Sequence, residues 1–150
     1  MKKALTGILL GLMVLCHSIN VQAEDQPTTI EFTYDEAQLL LKVAEAEAGT
    51  EGVDGMWMVL SVIVNRVESE DFPDTVSEVI YQKNQFATVT NGMIDKIEPS
   101  DDAHLALARI EGGEVADKIV AFENKKSSSL ERYFWRAFAY KRHVFYTAKQ

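Results

Sequence analysis

The chain has 150 residues, 47% of them hydrophobic and 25% charged, with a formal net charge of −8 at pH 7. That length suits one domain with a core of its own, and the acidic balance argues against nucleic acid and anionic membranes as partners. The one cysteine, Cys16, lies in the first apolar stretch, so no disulfide is expected in the rest of the chain.

Lys2 and Lys3 form a basic start, and residues 5–15 are an apolar run too short to span a bilayer comfortably. Val21, Gln22 and Ala23 put small residues at a cleavage position. Residues 1–23 therefore read as an export signal cleaved near Ala23. A lipoprotein signal at Cys16 is disfavoured by the bulky Leu15 before it, and an uncleaved anchor is the remaining alternative. Removal of the signal leaves 127 residues and takes the charge from −8 to −10, because the segment holds two lysines and no acid. The expected location is secreted or in the cell wall, with no stable membrane insertion after cleavage. At that charge, any attachment to an acidic wall has to be local and groove-based.

Residues 24–32 read as a short polar linker with Pro27 and paired threonines, followed by one domain over residues 33–150. Thr33 followed by Glu36 is a capping box that starts a helix, and Gly49 ends it. By the helical period, Leu39, Leu40, Val43 and Ala44 share a face, with Glu47 on its centre line. Desolvation on an apolar face and the negative end of the helix dipole both disfavour an ionised carboxylate, which suits a general acid. A helix cap or a surface position is the competing reading of Glu47.

A turn over residues 49–54 leads to a second helix over residues 55–68, apolar almost all round and so the expected central helix. Asn65 is its polar anomaly, either capping the next loop or pointing into a cleft beside Glu47. Arg66 is expected as a salt-bridge partner. Phe72-Pro73 breaks the chain, and Thr75 with Glu78 caps a short helix to residue 80 or 82. Residues 83–99 read as irregular, with a hairpin-like turn at Asn91-Gly92. Ser100 caps a further helix that stops at Gly112-Gly113. The aromatic and polar alternation beyond Phe122 predicts short strands with a polar loop over residues 125–129. The fold class is α+β with helices dominant.

Gln85-Phe86 pairs an amide with an aromatic ring, a combination suited to sugar recognition. Trp57 and Trp135 are stacking candidates by the same logic, with core packing the favoured role for both. His17 falls in the signal, which leaves His104, expected to be structural, and His143, which either orients a site group or packs. With no HExxH pattern and no cysteine outside the signal, neither a metal nor another cofactor is expected. A GxSxG nucleophile motif is lacking too. A single-carboxylate acid/base site is the remaining enzyme reading.

An ordered set of motifs carries a resemblance over residues 39–146. Glu47-Ala48-Gly49-Thr50-Glu51 is followed by Gly55, eight residues after Glu47. Asn65-Arg66-Val67, Phe72-Pro73, Val79-Ile80-Tyr81-Gln82, Gln85-Phe86 and His143-Val144-Phe145-Tyr146 come next, in that order. The set resembles the SleB-type cell wall hydrolases, or spore cortex-lytic enzymes. The family turn is commonly E-A-R-G-E, so Gly49-Thr50 departs from it, and residues 91–126 are less alike.

The resemblance implies a helix-dominated, lysozyme-like domain related to lytic transglycosylases, with a small β element. It implies that peptidoglycan glycan strands are the substrate and that Glu47 is catalytic, with Glu51 as a candidate second acid. Asn65, Gln85, Phe86, His143 and Tyr146 are then candidate substrate-binding residues. The expected reaction is cleavage between N-acetylmuramic acid and N-acetylglucosamine. A lytic transglycosylase would need only Glu47, first as acid and then as base toward the muramyl 6-hydroxyl. A plain muramidase, an amidase-type wall hydrolase and a non-catalytic peptidoglycan-binding module are the alternatives.

Overall fold

The structure is a computed structural model that describes residues 29–149. The export signal, Cys16 and His17 lie outside the described residues. Helix α1, Tyr34–Ala48, starts at the expected capping box: the Glu36 amide donates to Thr33 Oγ1 at 3.3 Å, and the Thr33 amide donates to the Glu36 carboxylate at 2.9 Å. Its inner face buries Leu40, Leu41, Val43, Ala44 and Ala48.

A 3-10 turn, Gly49–Glu51, connects α1 directly to α2, Gly52–Val67. The second helix thus begins three residues earlier than the sequence pattern predicts. Gly52, at φ +71°, makes the abrupt change of direction, in a region of backbone space that residues with a Cβ rarely adopt. Helix α2 is the central element, buried continuously from Met58 to Val64, and packs against α1, α5 and β1.

Helix α3, Val76–Tyr81, is capped by Thr75 as expected. The segment after it is more ordered than its sequence suggests. It forms a one-turn helix α4, Ala87–Thr90, and a 3-10 turn, Ile94–Lys96. The expected hairpin at Asn91-Gly92 is absent: that pair ends α4, and no described strand flanks it. Phe86 and Ile94 are buried and pin this segment to the core, a tertiary constraint with no local periodicity. Helix α5, Asp101–Glu111, is capped by Ser100 and stops at Gly112.

Three strands follow: β1 Ile119–Asn124, β2 Phe134–Tyr140 and β3 His143–Ala148. They form an antiparallel sheet in the order β1-β3-β2. Alternation along β3 sends Phe145 toward Met58 and Val62 of α2, and Val144 and Tyr146 to the other face with Ala121, Leu130 and Phe134. The described part of the expected linker is not detached. Ile30 and Phe32 pack on the helical core, and the Ile30 amide donates to the Glu111 carbonyl at 3.0 Å. Its apolar residues, masked in the sequence by polar neighbours, make it an edge of the domain. Among the described residues, no helix is long and apolar enough to cross a membrane.

Candidate active site

Glu47 is half-buried in the last turn of α1, where the capping box and the apolar stripe of that helix place it. Thr88 of α4 donates from Oγ1 to Glu47 Oε1 at 2.9 Å. Thr88 is held there because Phe86, only 1% exposed, anchors the start of α4 in the core. A hydroxyl can donate to a carboxylate and can rotate to accept from a carboxylic acid, so Thr88 is a partner for both states of Glu47. Thr88 escapes a reading of the sequence, because its pairing with Glu47 joins residues 41 apart.

Glu51 occupies a different environment. Its side chain is 1% exposed, between α1 and α2. His143 Nδ1 lies 2.9 Å from Glu51 Oε1, close but off the axis of a linear hydrogen bond, and Arg142 Nε donates to the same oxygen at 3.3 Å. Lys141 Nζ donates to the Glu51 carbonyl. Three consecutive residues at the β2–β3 turn and the start of β3 therefore grip the α1–α2 turn. His143 is buried and packs edge-on against Phe122, with ring centroids 5.2 Å apart.

Asn65 makes two structural bonds, donating from Nδ2 to the carbonyls of Ala116 and Ile119, both at 2.8 Å. These tie α2 to the chain entering β1. Ser61 does the same from the previous turn, accepting from the Ala116 amide at 3.0 Å. The salt bridge expected of Arg66 is not made: among the described residues no carboxylate pairs with it. Its partners are uncharged, because the α2 C-terminus carries it inward under the sheet. Nε donates to the Val120 carbonyl at 2.6 Å and Nη1 to Gln85 Oε1 at 2.8 Å, while the guanidinium lies over the Phe72 ring at 5.1 Å. Burial pushes the Arg66 guanidinium down to about 10.

Gln85 and Phe86 line a cavity of about 430 Å³ between the end of α2, the α3–α4 loop and β1. Phe86 forms its floor, 6.2 Å from the Phe122 ring. Tyr146 is fully buried behind the cavity and donates to Glu123 Oε1 at 2.6 Å. Burial would raise the Glu123 acid, but hydrogen bonds from Ser127, Tyr146, Ser129 and the Leu130 amide outweigh it and bring Glu123 down to about 2. Burial, with the Glu123 hydrogen bond, pushes the Tyr146 hydroxyl up to about 12.

The candidate residues thus divide. Glu47 stands with Thr88, and Gln85 and Phe86 line the cavity that Tyr146 backs through Glu123. Glu51 and His143 pair in the interior, while Asn65 serves the loop before β1. Trp57 is half-buried and donates from Nε1 to the Glu114 carbonyl at 2.6 Å. Trp135, for which core packing is the favoured expectation, is instead 61% exposed on the edge strand β2, under Lys149. His104 is exposed on the outer face of α5.

Residues 50–146 match the family described as Cell Wall Hydrolase. The chain belongs to this family. Among curated proteins it is 38% identical over 76 residues to a spore cortex-lytic enzyme of Oceanobacillus iheyensis, covering 51% of this chain and 27% of that protein. It is 28% identical over 99 residues to the spore cortex-lytic enzyme of Bacillus subtilis, covering 65% of this chain and 32% of that one. The chain thus spans about a third or less of the length of these relatives. The catalytic domain of the germination-specific lytic transglycosylase SleB from Bacillus anthracis superposes with a TM-score of 0.68 at 26% identity, covering 77% of this chain and 97% of that domain. The catalytic domain of the Bacillus cereus SleB protein has the same TM-score at 23% identity, over 84% and 100% of the two chains. The cell wall hydrolase fold is therefore the helix-dominated, lysozyme-like α+β domain that the motif order implies. The family match begins at Thr50, so Glu47 lies just before it.

Proposed function

We propose that this chain cleaves peptidoglycan glycan strands between N-acetylmuramic acid and N-acetylglucosamine, as a lytic transglycosylase with Glu47 as its single catalytic carboxyl. The reading rests above all on one observation. Glu47 is half-buried at the end of α1 and hydrogen-bonded to a hydroxyl, on a fold shared with lytic transglycosylase catalytic domains. Glu47 donates its proton to the leaving glycosidic oxygen as positive charge develops on the muramyl ring. It then takes the proton of the muramyl 6-hydroxyl, which closes on C1 to give a 1,6-anhydro end. No water is consumed and no second carboxylate is required. Burial of Glu51 against His143 and Arg142 supports this route over hydrolysis, because Glu51 is committed to holding the turn. Export through residues 1–23, with a domain over residues 33–150, would bring the enzyme to its wall substrate.

The test is mass spectrometry of fragments released from purified peptidoglycan. Anhydro-muramyl ends are expected, and Glu47→Gln is expected to lower their release by about 10²–10⁴-fold with the fold intact. Reducing muramic acid ends would replace the transglycosylase with a muramidase. Retention of the protein on the wall with no fragments would replace both with a binding module.

A further inference from the structure

The cavity between α2, the α3–α4 loop and β1 holds a charged group and an acceptor that the reaction above does not use. Arg66 is 5% exposed and lines the cavity. A guanidinium has five N–H donors, and Val120 and Gln85 take one each. Gln82 lines the same cavity, and its Oε1 is buried with no hydrogen-bond partner. Buried polar atoms are nearly always paired, with protein or with water, so an unpaired acceptor and a donor-rich side chain lining one cavity are free to take a ligand that brings one donor and one acceptor.

Charge narrows the ligand further. Glu123 also lines the cavity and stays ionised under its hydroxyl and amide donors. The Arg66 cation and the Glu123 anion leave the cavity without net charge, which favours a neutral polar group over a carboxylate or an ammonium. Phe86, Phe122 and Phe134 add apolar surface to its lining. At about 430 Å³ the space is that of a small-ligand site.

We propose that this cavity is a subsite for the 2-acetamido group of an N-acetylated amino sugar. Arg66 donates to the acetamide oxygen, Gln82 Oε1 accepts from the acetamide N–H, and the phenylalanine rings take the methyl group. The inference deepens the glycan-cleaving reading of the chain and rests on it. It makes Arg66 and Gln82 specificity determinants, selecting N-acetylated glycan over sugars that carry only a hydroxyl at that carbon.

The experiment titrates isotope-labelled protein carrying Glu47→Gln with tri-N-acetylchitotriose and, separately, with cellotriose, following the Arg66 Nε–H resonance. Saturable movement with the acetylated trisaccharide, and at least tenfold weaker response to cellotriose, is expected. Gln82→Met, which removes an acceptor that bonds nothing in the protein, should weaken binding about tenfold while leaving the melting temperature equal or higher. Equal responses to the two sugars, no movement with either, or unchanged binding in a folded Gln82→Met protein would overturn the subsite. If Gln82→Met failed to fold, the Arg66 comparison decides alone. Fragment release by the unsubstituted chain is scored separately. Saccharide binding without cleavage would remove the glycosidase reading, and cleavage with an unresponsive Arg66 would remove only the subsite.

Discussion

Thr88 Oγ1 and Glu47 Oε1 lie 2.9 Å apart and join the last turn of α1 to the one-turn helix α4. The bond orients the carboxyl without fixing its proton, since the hydroxyl serves as donor or acceptor. Thr88→Val keeps the shape and removes the partner. A hydrogen bond typically contributes about 0.5–1.5 kcal/mol, so peptidoglycan turnover should fall roughly 2–10-fold. Thr88→Ser should restore most of it. The melting temperature should change little in either variant, because the site is half-buried. Full activity in Thr88→Val would show that Glu47 is positioned by α1 alone.

Glu51 is the buried one of the two carboxylates at the α1–α2 turn, and Glu47 the half-buried one. The partners of Glu51 come from Arg142 and His143, some ninety residues away, and its burial is nearly complete. Removing His143 leaves the buried Glu51 carboxyl with Arg142 as its remaining side-chain partner, and a buried polar group that loses a partner costs about 1–3 kcal/mol. His143→Phe should therefore destabilise the domain more than Glu51→Gln, which keeps the shape and loses the charge. Per folded molecule, Glu51→Gln should retain activity within about threefold, well short of the 10²–10⁴ that an acid or base contributes. A stable but inactive Glu51→Gln protein would assign it the second acid role and favour hydrolysis.

The capped helix starts were legible in the sequence because they are local, whereas α2, which has no side-chain cap, begins three residues before its expected start. Thr33 with Glu36, Thr75 with Glu78, and Ser100 each declare a cap within four residues. The position of Glu47, half-buried in the last turn of α1, was legible for the same reason. What local patterns do not carry is pairing across the chain. Thr88 with Glu47, Arg66 with Gln85 and Val120, and Tyr146 with Glu123 join segments 19 to 54 residues apart. The one-turn helix α4 was hidden because its order comes from the burial of Phe86 and Ile94, not from any repeat of its own. Arg66 was misread because an arginine near a helix end ordinarily meets a carboxylate, and here the fold carries it under the sheet instead.

Gly55 sits one turn after Glu51, and a Cβ there would lie 2.4 Å from the Glu51 Cβ. Neither atom can move without displacing backbone, because the Glu51 carboxylate is held by His143 and Arg142. Gly55→Ala would normally favour a helix, by about 0.8–1.0 kcal/mol. Here overpacking should win, with a net loss of about 1–3 kcal/mol in denaturant unfolding. A stabilised Gly55→Ala would mean that the α1–α2 turn is free to relax.

The Glu123–Tyr146 pair should give the domain a pH signature at both ends. Glu123 lies at about 2, below its ordinary 4.5, so its contribution is complete above about 4.5 and is lost as pH falls toward 2. Tyr146 lies at about 12, above its ordinary 10, so its contribution is complete below about 10 and is lost as pH rises toward 12. Melting temperature should therefore be flat between these limits as far as this pair is concerned. Tyr146→Phe should lower stability by about 1.5–3 kcal/mol at neutral pH, the strength of a hydrogen bond to a charged group. It should also abolish the alkaline loss between about pH 10 and 12 and shrink the acid one, since Ser127, Ser129 and Leu130 still hold the carboxylate. Glu123→Gln should remove the acid loss instead. An alkaline transition that survives Tyr146→Phe belongs to other groups and would break the link between the buried hydroxyl and the strand it supports.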